Sequence, residues 1–175
     1  MSQPLGIKFE TAVRILAEYM PHSEEKSRKP ILFHDIRVGV YLYERGYSDD
    51  VILAGILHDA IEWSPVNILL LREEFGDTVV RLILANTKDR TIRDKNEITR
   101  ELIQRCIQNG QDALIVKTAD IIDSFTWYTV QNNSDQLIYC MRHANAIFRF
   151  KPEDFKDAIF NELRLWQRRY TYIVD

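Results

Sequence analysis

Glycine and proline are scarce in this chain, 6 and 5 of 175 residues. Both fall below their ordinary share, which disfavours a turn-rich sandwich or barrel. Cysteine is scarcer still. Cys106 and Cys140 are too few for a disulfide framework and suit a reducing compartment. Neither sign of charge dominates: Lys+Arg 23 against Asp+Glu 26 leaves a net charge of -3. No global positive field is available to hold a nucleic-acid backbone. No uncharged apolar run approaches the length of a membrane span. The opening residues MSQPLGIKFE lack the basic and apolar regions of a signal peptide. What is present, 46% hydrophobic and 28% charged residues, is ordinary globular material. Its length fits one domain, 1–175. The expectation is a cytoplasmic protein without a nucleic-acid or membrane partner; no pattern specifies an oligomeric state.

Periodicity reads as helix nearly throughout. Phe9, Ala12, Val13, Leu16 and Ala17 recur at three- and four-residue steps, giving one apolar stripe. The charged segment 22–30 interrupts the pattern and reads as a loop. A second helix begins near Leu32 and is expected to turn Ile36, Val40 and Leu42 inward, with Gly46 beyond its end. Ser48 followed by Asp49 and Asp50 is a helix start. The run 51–63, VILAGILHDAIEW, is apolar except at His58, Asp59 and Glu62, as a central buried helix would be. Ser64-Pro65 predicts the start of a further helix closed by Gly76, and Asp77 the start of the next, over 77–88. After a polar loop at 88–97, helices follow over 98–109, 112–130, 135–150 and from Pro152 through Trp166. The fold class is all-α, a single domain of about eight or nine helices.

The chemistry is suggested by ionisable residues inside apolar helices. His58 and Asp59 interrupt one apolar run, Asp120 and Asp123 another, and His34 sits in the apolar setting ILFHDIRV. Burying such groups alone is costly, so each needs a partner or a metal. The alternatives are a His58 ring bonded to a backbone carbonyl and an Asp120 paired with Lys117. Two imidazoles and two carboxylates from His34, His58, Asp59 and Asp120 would make a mixed N/O site suited to manganese, iron or zinc. Such an ion would acidify a water and polarise a phosphorus centre. Glu62 follows His58 by four and Asp59 by three, so it shares their face and could orient or deprotonate that water. Lys117, Asp120 and Ser124 share a face in the same way. The His-Asp doublet alone is weak, since it occurs twice, at His34-Asp35 and His58-Asp59. His22, His143 and the two cysteines carry no pattern of their own, and the aromatic group Phe125, Trp127, Tyr128, Phe148 and Phe150 reads as core or contact surface.

The order of these segments is more specific. LHDAIE, then FGDTVVRLILANTK, then VKTAD, preceded by His34, resembles the HD-domain hydrolases over roughly residues 8 to 130. It is most similar to the RelA/SpoT hydrolase domain and the small alarmone hydrolases. That resemblance implies a manganese-dependent phosphohydrolase removing the 3′-pyrophosphate of ppGpp and pppGpp. It puts the metal ligands at His34, His58, Asp59 and Asp120. It puts a base-contacting pair at Arg28 and Lys29, and a phosphate contact near Lys88 or Arg90. Two positions depart from the family pattern. The second of two adjacent acids is Trp63 beside Glu62, and the KLAD-R-x-x-N continuation has Ile121 at the arginine and Ser124 at the ribose-facing asparagine. These departures keep two other readings open: an HD phosphatase of nucleoside monophosphates or related phosphate esters, and a degenerate HD domain that binds a nucleotide without turning it over.

Overall fold

A computed structural model describes residues 3–24 and 28–173. Among the described residues there are ten α-helices, one 3₁₀ turn at Thr171–Ile173, and no strand. This is the all-α architecture that the periodicity predicts. The helices group into two compact units that divide between Thr87 and Lys88. No described helix is long and apolar enough to cross a membrane.

The first unit holds α1 (Leu5–Tyr19), α2 (Ile31–Glu44), α3 (Asp49–Leu57), α4 (Ala60–Trp63), α5 (Ile68–Phe75) and α6 (Asp77–Asn86). Its centre is α3. Ser48 caps that helix by accepting from the Val51 amide, and every residue from Val51 to Leu57 is buried. A helix so uniformly apolar needs neighbours on all sides, and α1, α2 and α6 supply them. The α2 and α3 backbones meet at two glycines. A Cβ on Gly39 would come within 2.8 Å of Ile56 Cβ, and one on Gly55 would overlap Leu42. Only residues without a side chain allow this approach.

Several local expectations are corrected here. In α1 the buried stripe is Ala12, Ile15 and Leu16, while Ala17 is exposed. In α2 it is His34, Asp35, Val38, Gly39 and Leu42, and Val40 is 38% exposed. Reading the apolar residues alone turned α2 too far, because its buried face begins with two polar residues. The 51–63 stretch is two helices rather than one, with His58 and Asp59 in a turn between α3 and α4. The break needs no glycine or proline. His58 Nδ1 lies 2.7 Å from Gly55 O, the carbonyl that an unbroken helix offers to the amide of residue 59. Ser64 does not open a helix. It ends α4, its hydroxyl donating to Ala60 O and accepting from Val66 N. Asn67 caps α5 instead, accepting from the Leu69 amide at 2.8 Å.

The second unit holds α7 (Lys95–Gln108), α8 (Gln111–Val130), α9 (Ser134–Phe150) and α10 (Ala158–Arg169). α7 starts within the segment expected to be loop, because Asp94 accepts from both the Asn96 and Glu97 amides. α8 is the axis of this unit, packed by α7, α9 and α10 and buried continuously from Ala113 to Ile122. Phe125, Trp166 and Tyr170 stack nearly parallel, with centroids 5.7 to 6.4 Å apart. The Tyr170 and Thr129 hydroxyls bond at 2.6 Å beside them. Both cysteines are buried free thiols.

Candidate metal centre

In the first unit His34, Asp35, His58 and Asp59 each offer one ligand atom, and these atoms all lie within 4.8 Å of one another. His34 sits in the first turn of α2, with Asp35 next to it; His58 and Asp59 occupy the turn that ends α3. All four are buried, and His34, Asp35 and His58 have no exposed surface. The two rings meet edge to face with centroids 5.1 Å apart, a spacing that the glycine contacts between α2 and α3 permit.

Hydrogen bonding assigns the nitrogens. A carbonyl only accepts, so His58 Nδ1, at 2.7 Å from Gly55 O, carries the proton. Its Nε2 is left as the lone-pair nitrogen of a neutral ring, 3.7 Å from Asp59 Oδ1. An ammonium only donates, so His34 Nε2 accepts from Lys29 Nζ at 2.7 Å. His58 thus presents an accepting nitrogen, the form that binds metal, whereas His34 Nε2 already accepts from Lys29 and would bind metal only in its place. Two carboxylates brought this close away from water repel one another, and a cation between them offsets that repulsion. Two imidazoles with two carboxylates fit a divalent transition metal.

Asp35 is the member that the sequence reading passed over. Its signal was present as the first of the two His-Asp doublets, counted there as a mark of low specificity. Asp120 lies in the second unit and is not among the four. Its Oδ2 accepts from Lys117 Nζ at 3.0 Å and its Oδ1 from Ser124 Oγ at 3.4 Å, all three residues buried on one face of α8. Burial opposes the charged form of Lys117, but Asp120, and Tyr139 behind it, outweigh burial and hold the ammonium above the usual lysine pKa. In the same unit, burial first and the Lys117 charge second push His143 down to about 3. It is a neutral ring whose Nδ1 meets Tyr139 O at 2.9 Å.

The remaining expected residues lie as follows. Glu62 and Trp63 are half-buried in α4, one turn past Asp59. Arg28 is exposed and Lys29 half-buried, ahead of α2. Lys88 is half-buried, its Nζ 5.9 Å from the centre of the Tyr139 ring, and Arg90 is exposed. Ser124 has no exposed surface.

Known proteins resemble this chain in sequence and in fold. The guanosine-3′,5′-bis(diphosphate) 3′-pyrophosphohydrolase of Aquifex aeolicus is 23% identical over 93% of the chain, which spans 26% of that relative's length. The pyrophosphohydrolase MESH1 of Mus musculus, which bears the same activity name, is 30% identical over 59% of this chain and 62% of its own. Among solved structures, a metazoan ortholog of SpoT described as hydrolysing ppGpp superposes with a TM-score of 0.74 at 20% identity. That match covers 97% of this chain and 98% of the other, and at such identity it establishes the fold. The family model described as HD domain matches residues 12–137, so the run from α1 to the start of α9 that carries His34, the His58-Asp59 turn and Asp120 is an HD-domain sequence, and the chain belongs to that family.

Proposed function

We propose that the chain is a divalent-metal-dependent phosphohydrolase acting on a nucleotide, with guanosine 3′,5′-bis(diphosphate) as substrate and manganese as the ion. The observation that carries this reading is the buried set of two accepting imidazoles and two carboxylates within 4.8 Å. Substrate choice is supported by the relatives that bear this activity in their names.

His34, His58 and Asp59 would hold the ion, with Asp120 as the fourth ligand. A bound divalent ion supplies charge that polarises a phosphate and makes a water more acidic. Glu62, one turn beyond Asp59, is the carboxylate that takes the proton of the attacking water. Arg28 and Lys29 would meet the base, where a guanidinium stacks on an aromatic face. Lys88 and Arg90 would meet phosphate, and Ser124 the ribose. Treating 1–175 as one working domain rests on the family match running through both units. A cytoplasmic setting suits the two buried thiols.

The test is turnover by metal-stripped protein reloaded with Mn²⁺. Hydrolysis of ppGpp adds water across the ester at the ribose 3′-oxygen, so GDP and pyrophosphate are the expected products, and His58→Ala abolishes them. Turnover of nucleoside monophosphates but not ppGpp would replace the substrate while keeping the reaction class. Trp63 favours one further reading. A missing second acid lowers a rate by roughly 10²–10⁴ if it is a true general base, leaving a domain that binds more than it cleaves. Under that reading Trp63→Asp gains turnover.

A further inference from the structure

We propose that Asp35 is a positioning residue of the metal centre, a buried charge beside the Nδ1 of His58 that strengthens the ring as a ligand. The proposal rests on the metal reading above and adds a residue to it. The His58 imidazole has two polar edges. On the Nε2 edge stands Asp59, with Oδ1 at 3.7 Å. At the other ring nitrogen, Nδ1 meets Gly55 O at 2.7 Å and Asp35 Oδ1 lies 3.7 Å away. At that distance Asp35 does not take the Nδ1 proton, which the carbonyl holds. Its contribution is its charge, and neither side chain has any exposed surface to screen it. A carboxylate on the N–H side of a ligating imidazole stabilises positive charge on the ring and raises the basicity of the far nitrogen. The backbone delivers both parts together: α2 carries His34 to the centre and its neighbour Asp35 to the Nδ1 side of the His58 ring.

This placement predicts a sign that packing alone does not. Asp35 and Asp59 are like charges within 4.8 Å, and Lys29 bonds the His34 ring beside them, so without metal the exchange of Asp35 for its amide relieves their mutual repulsion and is expected to leave the fold as stable or more so. With metal, the same change weakens binding. The experiment compares wild type with Asp35→Asn, which keeps the shape and removes the charge, and with Asp35→Ala as the second variant should the amide misfold. Each is melted without metal and titrated calorimetrically with MnCl₂. The expected result is an unchanged or higher metal-free melting temperature together with roughly 10–100-fold weaker Mn²⁺ binding. Unchanged affinity would overturn the proposal. So would a lowered metal-free melting temperature, which marks a structural role. A loss as complete as in His58→Ala would make Asp35 a ligand instead. Failure of the wild type to take up Mn²⁺ would remove the metal reading itself, and the Asp35 role with it.

Discussion

Asp59 and Asp120 both interrupt apolar segments, and the two units handle their charge in opposite ways. In the second unit neutralisation is local: Lys117, three residues earlier on the same helix, puts its ammonium 3.0 Å from the Asp120 carboxylate. In the first unit Asp59 stands with two imidazoles and another carboxylate, Asp35, and Lys29 binds the His34 ring among them. Asp120 meets a cation on its own helix, while the Asp35–Asp59 pair would be completed by the ion proposed above.

The strongest challenge to this contrast is Lys117→Met. It strands the Asp120 carboxylate in the core of α8 and should destabilise the protein by about 3–5 kcal/mol, read by denaturant unfolding with or without metal. Adding Asp120→Leu should recover much of that loss. If the single variant were nearly neutral, the pair would not be the balanced site described. A smaller effect, about 1–3 kcal/mol, is expected for Gly39→Ala, because the new Cβ presses on Ile56. By pushing α2 from α3 it should also reduce the stabilisation that Mn²⁺ gives, read as a smaller Mn²⁺-induced rise in melting temperature than in the wild type. The subtlest test uses pH. His143 is held near 3 when folded against an ordinary 6.5, so between those values the unfolded chain binds the extra proton. Its contribution to stability is complete above about 6.5 and is lost as the pH falls toward 3. His143→Gln should flatten the fall in stability across that window, measured by melting at a series of pH values.

The helical class and most element positions were legible because caps and periods carry local physics. Ser48, Gly76 and Gly110 act where their chemistry says they should. The misreadings share a cause, which is that side chains compete with the backbone in ways composition does not reveal. His58 takes a carbonyl and breaks a helix with no breaker residue present; Ser64 turns back on α4 instead of opening α5. At the site, His34, His58 and Asp59 were readable as polar residues in apolar surroundings. Asp35 was equally so, but repetition of the doublet was counted against it. Its placement beside the Nδ1 of His58 depends on the rotation of α2, which was itself misjudged at Val40.

The glycine contact between α2 and α3 has a consequence for how this sequence can drift. The glycines obey separate rules. Gly46, Gly76 and Gly110 are kept by backbone angles, with positive φ and open space around them, and at Gly76 and Gly110 a ψ of 171° and 173° puts the backbone where essentially only glycine goes. Gly39 is kept by crowding against Ile56 Cβ, and Gly55 crowds the tip of the Leu42 side chain, which must shift to admit a Cβ, whereas Gly6 has nothing within 4 Å and is bound by neither rule. A saturation library would separate these classes without reference to catalysis. The crowded pair would mark the seam that holds the two histidines at their present spacing.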